Sequence, residues 1–420
     1  MEAAPAGPAP LHLFQAYGVE LEYMIVDVDT LDVRPIADAV LRDAQGEVVS
    51  DLDWDAISLS NELCAHLLEF KTNGPAPSLS GLAAAFQMAL RRADHVLRSH
   101  GARLLGSGMH PWMDPARERV LWPHEYGEVY RAFDRIFDCR GHGWSNLQSC
   151  HLNLPFADDA EFGRLHAAIR LVLPLLPALT AASPFVDGRR AAAFDQRLFT
   201  YRNNSKRVPS VAGHVVPENA RSRAEYHTDI LERIWHDMAP LDPDGVLRHE
   251  WINARGAIAR FDRMAIEIRV LDSQEHPGAD IAILAAVGGL LRGLVDGEAP
   301  FGDADEQRAV PLDELTATLW AVARDGSRAH VDAPHLLTVL GLSTRTRTAA
   351  EVWRELLPRA LPPGAPENAD FWPTLELILS RGTLGERLAR AAGQDPTRAT
   401  LHAIYARLAE CLVQGEPFVS

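Results

Sequence analysis

The sequence has few lysines and no excess of positive charge. Lys71 and Lys206 are the only lysines among 41 basic residues, and with 57 acidic residues the formal net charge is -16. A nucleic-acid-binding protein normally carries a basic stripe, so this balance argues against a nucleic-acid partner. It is compatible with an enzyme that acts on small molecules and recruits cations.

Cysteine is also scarce, and long uncharged apolar runs are missing. The four cysteines are Cys64, Cys139, Cys150 and Cys411. They are scattered without CxxC spacing, which predicts free thiols rather than a disulfide framework or a zinc site. The most apolar long stretch, 167–185, contains Arg170 and three prolines, which argues against a membrane span. The first ten residues, MEAAPAGPAP, lack the features of a secretory signal, so we expect a cytoplasmic protein without a membrane partner.

Common catalytic signatures are absent from the sequence as well. It contains no GxxxxGK[ST] loop, no GxGxxG after a strand, no GxSxG elbow, no HExxH helix and no HxE…PCxxC pattern. If the protein handles phosphate groups, metal ions and arginines must supply the electrostatics.

Two glutamates stand two positions apart in a strand-like segment, GVELEYMIVD at 18–27. Residues i and i+2 of a strand point to the same face, so Glu20 and Glu22 share one side while the apolar residues between them cover the other. A half-buried antiparallel strand normally shows polar residues to water, which is one interpretation of the pair.

Three further segments repeat this alternation. HLLEFKTN at 66–73 carries Glu69, NLQSCHLNLPF at 146–156 carries His151, and AIEIRVLD at 265–272 carries Glu267 beside Arg269. Each face taken alone could be solvated, but a sheet that aims several carboxylates at one surface needs cations to neutralise it. Hard divalent cations with oxygen ligands do this best, and a histidine can join them. The pattern therefore favours a Mg²⁺ or Mn²⁺ site formed by Glu20, Glu22, Glu69, His151 and Glu267.

The wider pattern predicts mixed strands and helices. Strands are expected at 17–28, 66–72, 103–109, 147–154 and 265–271. Helices are expected at 78–100, 125–138, 160–182, 220–238 and 279–295. After Pro300 the sequence becomes acidic and then helical, with few chemically suggestive residues. We expect a catalytic domain at 1–300 and a helical extension at 301–420 that packs on it.

Six segments together resemble the ordered blocks of the type 2 glutamate–cysteine ligase family. They are GVELEYMIVD, NELCAHLLEFKTNGPAP, GSGMHPWMD, SCHLNLPF, ASPFVDGR and AIEIRVLD, and they span roughly residues 14 to 300. The resemblance implies a glutamine-synthetase-like α+β fold: a curled, mainly antiparallel sheet of about six strands, with a metal-binding concave face and helices outside. It also implies ATP and Mg²⁺ or Mn²⁺ as cofactors.

The resemblance implies roles for individual residues. Metal ligands would be Glu20, Glu22, Glu62, Glu69, His151 and Glu267, of which Glu62 is not indicated by strand alternation. Arg269 would contact the transferring phosphate. Arg189 and Arg202 match basic positions near the phosphates or the acidic substrate, and Arg202, His151 and Lys206 are candidate nucleotide contacts. A solvated basic loop is the competing interpretation for Arg189 and Arg202, and a surface or ion-pairing role for Lys206.

The sequence departs from the family pattern where substrate would be held. Asn153 stands where a second histidine is common. After Gly188 and Arg189, RAAA replaces the usual acidic and small residues, and the segment 206–219 has no counterpart in the pattern. These departures affect the identity of the acid and the amine more than the metal ligands.

The resemblance implies an ATP-dependent carboxylate–amine ligase that forms an amide through an acyl phosphate. The expected partners are a small acid, such as glutamate through its γ-carboxyl, and an amino acid or small amine. Two alternatives remain at this point: a phosphotransferase of the guanidino-kinase type, and a non-catalytic protein that binds a metabolite. Assembly as a homo-oligomer is also left open.

Overall fold

The structure is a computed structural model that describes residues 10–419. It contains an eight-stranded antiparallel sheet and two separate short pairs of strands. The strands of the large sheet are β1 (Gly18–Asp27), β2 (Asp51–Trp54), β3 (Ile57–Asn61), β4 (Leu67–Thr72), β5 (Ala102–Leu105), β6 (Ser149–Pro155), β9 (Ala257–Arg260) and β10 (Ala265–Asp272). Of these two pairs, β7 (Phe185–Val186) and β8 (Arg189–Arg190) form a true hairpin, whereas β11 (His330–Val331) and β12 (Arg347–Thr348) pair across a longer segment that contains a helix.

Strand β1 is central in this sheet. The strand order is β2-β3-β4-β1-β6-β10-β9, and β5 pairs with the second half of β1. Six consecutive residues of β1, Leu21 to Val26, are buried, as is required of a strand that is covered on both faces. The strand that carries Glu20 and Glu22 is therefore held in place by three partner strands.

Helices cover the remaining surface of the sheet and form most of the C-terminal part. They are α1 (Leu82–Arg98), α2 (Pro115–Glu118), α3 (Gly127–Phe137), α4 (His142–Ser145), α5 (Asp159–Val172), α6 (Pro177–Thr180), α7 (Gln196–Tyr201), α8 (Arg223–Tyr226), α9 (Glu232–Met238), α10 (Pro277–Asp296), α11 (Ala304–Ala309), α12 (Leu312–Asp325), α13 (Pro334–Val339), α14 (Ala349–Ala360), α15 (Trp372–Arg381), α16 (Leu384–Ala392) and α17 (Arg398–Gln414). A π-helical turn, His227–Leu231, joins α8 to α9.

The α+β class and the open antiparallel sheet agree with the expectation from sequence, but the sheet is larger than about six strands. Compared with the five strands that the pattern placed, the additional strands are β2, β3 and β9, which are only four or five residues long. The expected helix at 160–182 is interrupted after α5, because Pro174 and Pro177 lack the backbone donor that a continuous helix needs.

Helix α10 lies at the centre of the helical layer. It is apolar on nearly all sides, and it packs against α1, α5 and α14. Among residues 10–419 it is the one helix long and apolar enough to cross a membrane, but 83% of that segment is buried inside the protein, as in the core helix of a globular fold. The four cysteines are free and buried, as expected.

Helices after residue 300 pack on the sheet-bearing part of the chain. Trp353 of α14 donates a hydrogen bond to the Leu175 carbonyl at 2.9 Å, and Arg387 of α16 pairs with Glu275 at 2.7 Å. These contacts join the C-terminal helices to the rest of the chain, and the division into a catalytic domain at 1–300 and a helical extension at 301–420 that packs on it stays a prediction.

Candidate active site

One face of the sheet collects the polar residues that strand alternation indicated. Glu20 of β1 lies opposite Lys71 of β4 on one side and His151 of β6 on the other, and Glu22 lies opposite Glu69. Cross-strand neighbours share a face, so these side chains stand together. On β10, Glu267 lies opposite Asn153 and extends the same face.

Glu20, His151 and Glu267 converge most closely. Glu20 Oε2 lies 2.7 Å from His151 Nδ1, and Glu267 Oε1 lies 3.9 Å from the same nitrogen. One potential ligand atom from each of the three residues lies within 4.8 Å of the other two. Asn153 donates a hydrogen bond to the other oxygen of Glu20 at 3.1 Å, which fixes the carboxylate orientation.

A second group of carboxylates lies beside the first. Glu22 Oε1 is 3.8 Å from His151 Nε2, and its other oxygen accepts a hydrogen bond from the Ser149 backbone at 2.7 Å. Glu69 accepts from the Ser60 hydroxyl at 2.7 Å and lies 3.4 Å from Lys71 Nζ. Glu62 follows β3 directly and is close enough to Glu22, Glu69 and Glu20 for their charges to affect its ionisation. We call Glu20, Glu22, Glu62, Glu69, His151 and Glu267 the carboxylate cluster.

Ionisation within the carboxylate cluster reflects burial and like charge. Burial, reinforced by repulsion from Glu22, Glu69 and Glu20, raises the pKa of Glu62 well above its ordinary value. Burial and the Glu20 charge raise the pKa of Glu69 to about 7, although Lys71 opposes this. Burial would raise the pKa of Glu20, but the hydrogen bond and charge of His151 lower it to about 2. Burial opposes protonation of His151, yet the Glu20 hydrogen bond and the surrounding carboxylates raise its pKa.

The donor set of the carboxylate cluster fits hard divalent cations. Carboxylate oxygens with one imidazole are suitable ligands for Mg²⁺ or Mn²⁺, and one positive imidazole cannot balance five carboxylates. Burial is the main cause of the raised pKa values of Glu62 and Glu69, and repulsion from the neighbouring carboxylates adds to it. A divalent cation would remove that repulsion.

Arg269 lies at the edge of the carboxylate cluster. Its guanidinium donates two hydrogen bonds to Glu267 Oε1, at 2.8 and 2.5 Å, and its side chain retains 21% exposure. Burial would lower the pKa of Arg269, but the Glu267 charge raises it, so the group is held as a cation. This cation is therefore held next to the predicted metal ligands.

The other basic residues that the sequence indicated, Arg189, Arg202 and Lys206, do not contact the carboxylate cluster within residues 10–419. Arg189 is exposed on the β7–β8 hairpin, and Lys206 is exposed in the loop after α7. Arg202 stacks on Phe199 and on Trp320 of α12, with its guanidinium 5.1 and 4.7 Å from the ring centroids. No hydrogen bond or ion pair within residues 10–419 joins these three cations to the carboxylate cluster, so their roles stay predictions.

A cavity of about 430 Å³ opens beside Glu20, at the end of the sheet where β1 begins. Its lining combines apolar residues, such as Val19 and Pro155, with the cations Lys71 and Arg263 and the amide of Asn153. None of these three polar residues was predicted as a site residue. Strand alternation puts Lys71 on the same face as Glu69, and Asn153 on the same face as His151, but Arg263 lies in a turn for which the sequence gives no signal.

The chain resembles known proteins over most of its length. The family model described as glutamate–cysteine ligase family 2 matches residues 16–406, well beyond the segment 14–300 that carries the sequence resemblance. An uncharacterised protein of Archaeoglobus fulgidus is 31% identical over 96% of this chain and 100% of its own. A putative glutamate–cysteine ligase of Rubrobacter xylanophilus is 26% identical over 91% of this chain and 92% of its own.

A solved structure shares the fold. The glutamate–cysteine ligase of Francisella tularensis, determined in complex with AMP, superposes with a TM-score of 0.60 at 14% identity, covering 94% of this chain and 88% of its own. The match of the family model over nearly the whole chain is the decisive finding. The chain belongs to glutamate–cysteine ligase family 2, and its enzyme class is that of an ATP-dependent carboxylate–amine ligase.

Proposed function

We propose that the protein joins the γ-carboxyl group of glutamate, or of a similar acid, to an amino acid or small amine. The observation that carries this proposal is the carboxylate cluster itself: four strand carboxylates and His151 share one sheet face, Glu62 lies close to them just after β3, and a cavity lined by both cations and carboxylates opens beside Glu20. Such a face suits a reaction in which metal-bound phosphate is transferred.

Two groups of residues would hold the metal ions. Glu20, His151 and Glu267 form one donor set, and Glu22, Glu62 and Glu69 form the second. When bound, Mg²⁺ or Mn²⁺ would neutralise phosphate oxygens and the negative charge that develops on them. We therefore propose two metal ions.

The cavity beside Glu20 is our candidate for the ATP site. Its apolar lining suits a nucleobase, and Arg263, which makes no ion pair within residues 10–419, can neutralise phosphate charge, whereas Lys71 is already paired with Asp51 and Glu69. The nucleotide of the Francisella tularensis ligase structure is a further argument for nucleotide use in this fold. The position of the cavity would direct the terminal phosphate toward the carboxylate cluster.

The proposed reaction has two steps. An oxygen of the acid attacks the γ-phosphorus of ATP, the bond to ADP breaks, and an acyl phosphate forms. The amine nitrogen then attacks the acyl carbon, inorganic phosphate leaves, and the nitrogen loses a proton to give the amide. Arg269 is suited to stabilise the phosphoryl group during the first step, because Glu267 fixes its orientation and its side chain is partly exposed.

The decisive experiment measures ADP release over a matrix of acids and amines in the presence of ATP and Mg²⁺. We expect turnover that requires both an acid and an amine, with glutamate among the accepted acids. Mass spectrometry of the product distinguishes the mechanisms: an amide with free phosphate supports the ligase, and a stable phosphorylated product would indicate a phosphotransferase. Tight ATP binding without amine-dependent turnover for any pair would contradict the proposal.

A homo-oligomeric state and a cytoplasmic location remain predictions. Neither affects the assignment of the carboxylate cluster, because all its members belong to one chain.

A further inference from the structure

A second cleft carries the opposite charge from the carboxylate cluster. It has a volume of about 640 Å³ and lies between the β7–β8 hairpin, the start of α14, the end of α15 and helix α16. Its charged lining consists of one glutamate, Glu386, and five arginines: Arg190, Arg328, Arg354, Arg381 and Arg390. We call this the arginine cleft.

The concentration of positive charge is unusual for this chain, whose formal net charge is -16. Among residues 10–419, the only acidic residue that lines the cleft is buried and already engaged: Glu386 accepts hydrogen bonds from the Thr383 backbone at 2.8 Å and from the Ser327 hydroxyl at 2.9 Å. It lies 3.5 Å from Arg328, whose side chain is 71% exposed. This one committed carboxylate cannot balance the four arginines other than Arg390.

Several of the arginines are oriented without using a carboxylate. Arg354 donates to the Leu379 carbonyl at 2.8 Å, and Arg190 donates to the Gly393 carbonyl at 3.3 Å. Within residues 10–419, Arg190, Arg354 and Arg381 have no carboxylate within ion-pair distance. Carbonyl partners fix a guanidinium while leaving its positive charge uncompensated and its remaining N–H groups available.

An aromatic ring supports two of these cations. The guanidinium groups of Arg190 and Arg328 lie 5.9 and 5.2 Å from the ring centroid of Phe194. A guanidinium held over an aromatic face keeps its N–H fork directed away from the ring. The hydroxyl groups of Ser327, Thr348 and Ser380 also line the cleft, but each already donates its proton, to Glu386, Glu351 and the Glu376 carbonyl, so the guanidinium groups supply the donors for a ligand.

We propose that the arginine cleft is a binding site for a small anion that carries phosphate groups, separate from the carboxylate cluster. The planar fork of arginine matches phosphate oxygens in bidentate geometry, and two linked phosphates would engage more of the cleft than one. The ligand would connect Arg190 of the hairpin with Arg354 and Arg381 of the C-terminal helices. Binding is therefore expected to stabilise the contact between these two parts of the chain.

The test uses the full-length protein after divalent cations have been removed from protein and buffer, since without them the carboxylate cluster repels phosphate. Calorimetry with pyrophosphate is expected to show one saturable site at low salt, together with a rise in Tm. Inorganic phosphate should bind more weakly, and added salt should weaken both because the cleft is exposed. Arg381→Gln and Arg354→Gln should each weaken pyrophosphate binding at least tenfold.

Two controls keep the test specific. Within residues 10–419 the Arg381 side chain donates no hydrogen bond, so Arg381→Gln is expected to leave Tm without ligand unchanged. Arg42→Gln removes an exposed arginine that likewise donates to a carbonyl, that of Gly46, and should change pyrophosphate affinity less than twofold. No saturable binding, equal affinity in the cleft variants and the wild type, or tighter binding of citrate than of pyrophosphate would each overturn the proposal. Amide formation is measured separately, so its presence or absence does not decide this site.

Discussion

At the scale of single residues, the carboxylate cluster combines burial with like charge. Glu22, His151 and Glu267 are buried, and five carboxylates lie around one imidazole, while Lys71 and Arg269 pair with Glu69 and Glu267. Carboxylates that are only partly compensated cost stability, so their presence is explained by binding rather than by packing. Strand alternation predicted four of the five acids, but not Glu62, which lies just after β3 and reaches the cluster through the turn between β3 and β4.

Glu20→Gln and Glu22→Gln test the metal role of two neighbouring carboxylates. Each variant should lower Mg²⁺-dependent ADP release by at least about tenfold, because even partners that only orient a metal ligand change activity by that amount. Without metal, Glu22→Gln should not lower Tm, since a charge that repels Glu62 is removed, whereas Glu20→Gln should lower Tm modestly because it breaks the ion pair with His151. Circular dichroism melts and steady-state assays measure the two effects.

Glu47→Gln is the matched control for these variants, since it makes the same change at an exposed glutamate outside the carboxylate cluster. It should behave as wild type. Unfolding of the Glu20 and Glu22 variants, without a specific loss of metal dependence, would assign the pair to fold stability instead.

Arg263→Gln tests the proposed ATP cavity. Arg263 is exposed at the cavity wall, and its charge helps to lower the pKa of Glu20. Loss of one charged hydrogen bond to phosphate should raise KM for ATP by about tenfold, while kcat changes little. Fluorescent-nucleotide titration gives the same comparison without turnover, and unchanged affinity would place ATP elsewhere.

At the scale of elements, long alternating or apolar segments were predicted well and short strands were missed. β1, β4, β6 and β10 lie within two residues of their predicted bounds, because alternation over six or more residues is a strong local signal. β2, β3 and β9 have four or five residues each, so their pairing in the sheet, rather than their own pattern, defines them. The expected helix at 160–182 contained two prolines that end α5 and start α6.

The contact between α10 and α14 gives a prediction with an adjacent control. A Cβ atom at Gly289 would lie 2.1 Å from the Ala360 carbonyl oxygen, whereas at Gly288 the nearest atom, of Tyr17, is 3.6 Å away. Gly289→Ala should therefore destabilise the protein by about 1–3 kcal/mol despite the higher helix propensity of alanine. Gly288→Ala should be neutral or stabilise by up to about 1 kcal/mol. Denaturant melts compare the two, and equal effects would contradict close backbone packing at Gly289.

At the scale of the whole molecule, the C-terminal helices are tied to the segment that follows β10. The pair Arg387–Glu275 joins α16 to this segment, and both side chains are only 1% exposed. Arg387 also donates to the Phe418 carbonyl. Burial opposes ionisation of Glu275, but the Arg387 charge and hydrogen bond lower the pKa of that carboxyl. The pair is therefore ionised in the folded protein.

Arg387→Met should leave a buried carboxylate without its partner and destabilise the protein by about 3–5 kcal/mol at neutral pH. Wild-type Glu275 has a lowered pKa when folded, so its contribution is present above the ordinary carboxyl range and is lost as pH falls through the folded value. In Arg387→Met, burial without the cationic partner raises the pKa of Glu275. The difference in unfolding free energy between wild type and variant should therefore narrow as pH falls. Urea melts across pH measure this, and the double variant with Glu275→Gln should recover part of the loss. A pH-independent difference would contradict the ionised pair.

The sequence by itself determined the acidic strand faces, the family resemblance and the mixed class of the fold, because these depend on local alternation and on ordered segments. Only the tertiary structure decided which carboxylates meet His151, and that Arg202 stacks on Trp320 of a distant helix. The tertiary structure alone brings together the five arginines of the arginine cleft, which are spread between positions 190 and 390 of the chain. The physical reason is that strand and helix periods fix the direction of a side chain relative to its own element. Contacts between residues far apart in the chain depend on how the elements pack.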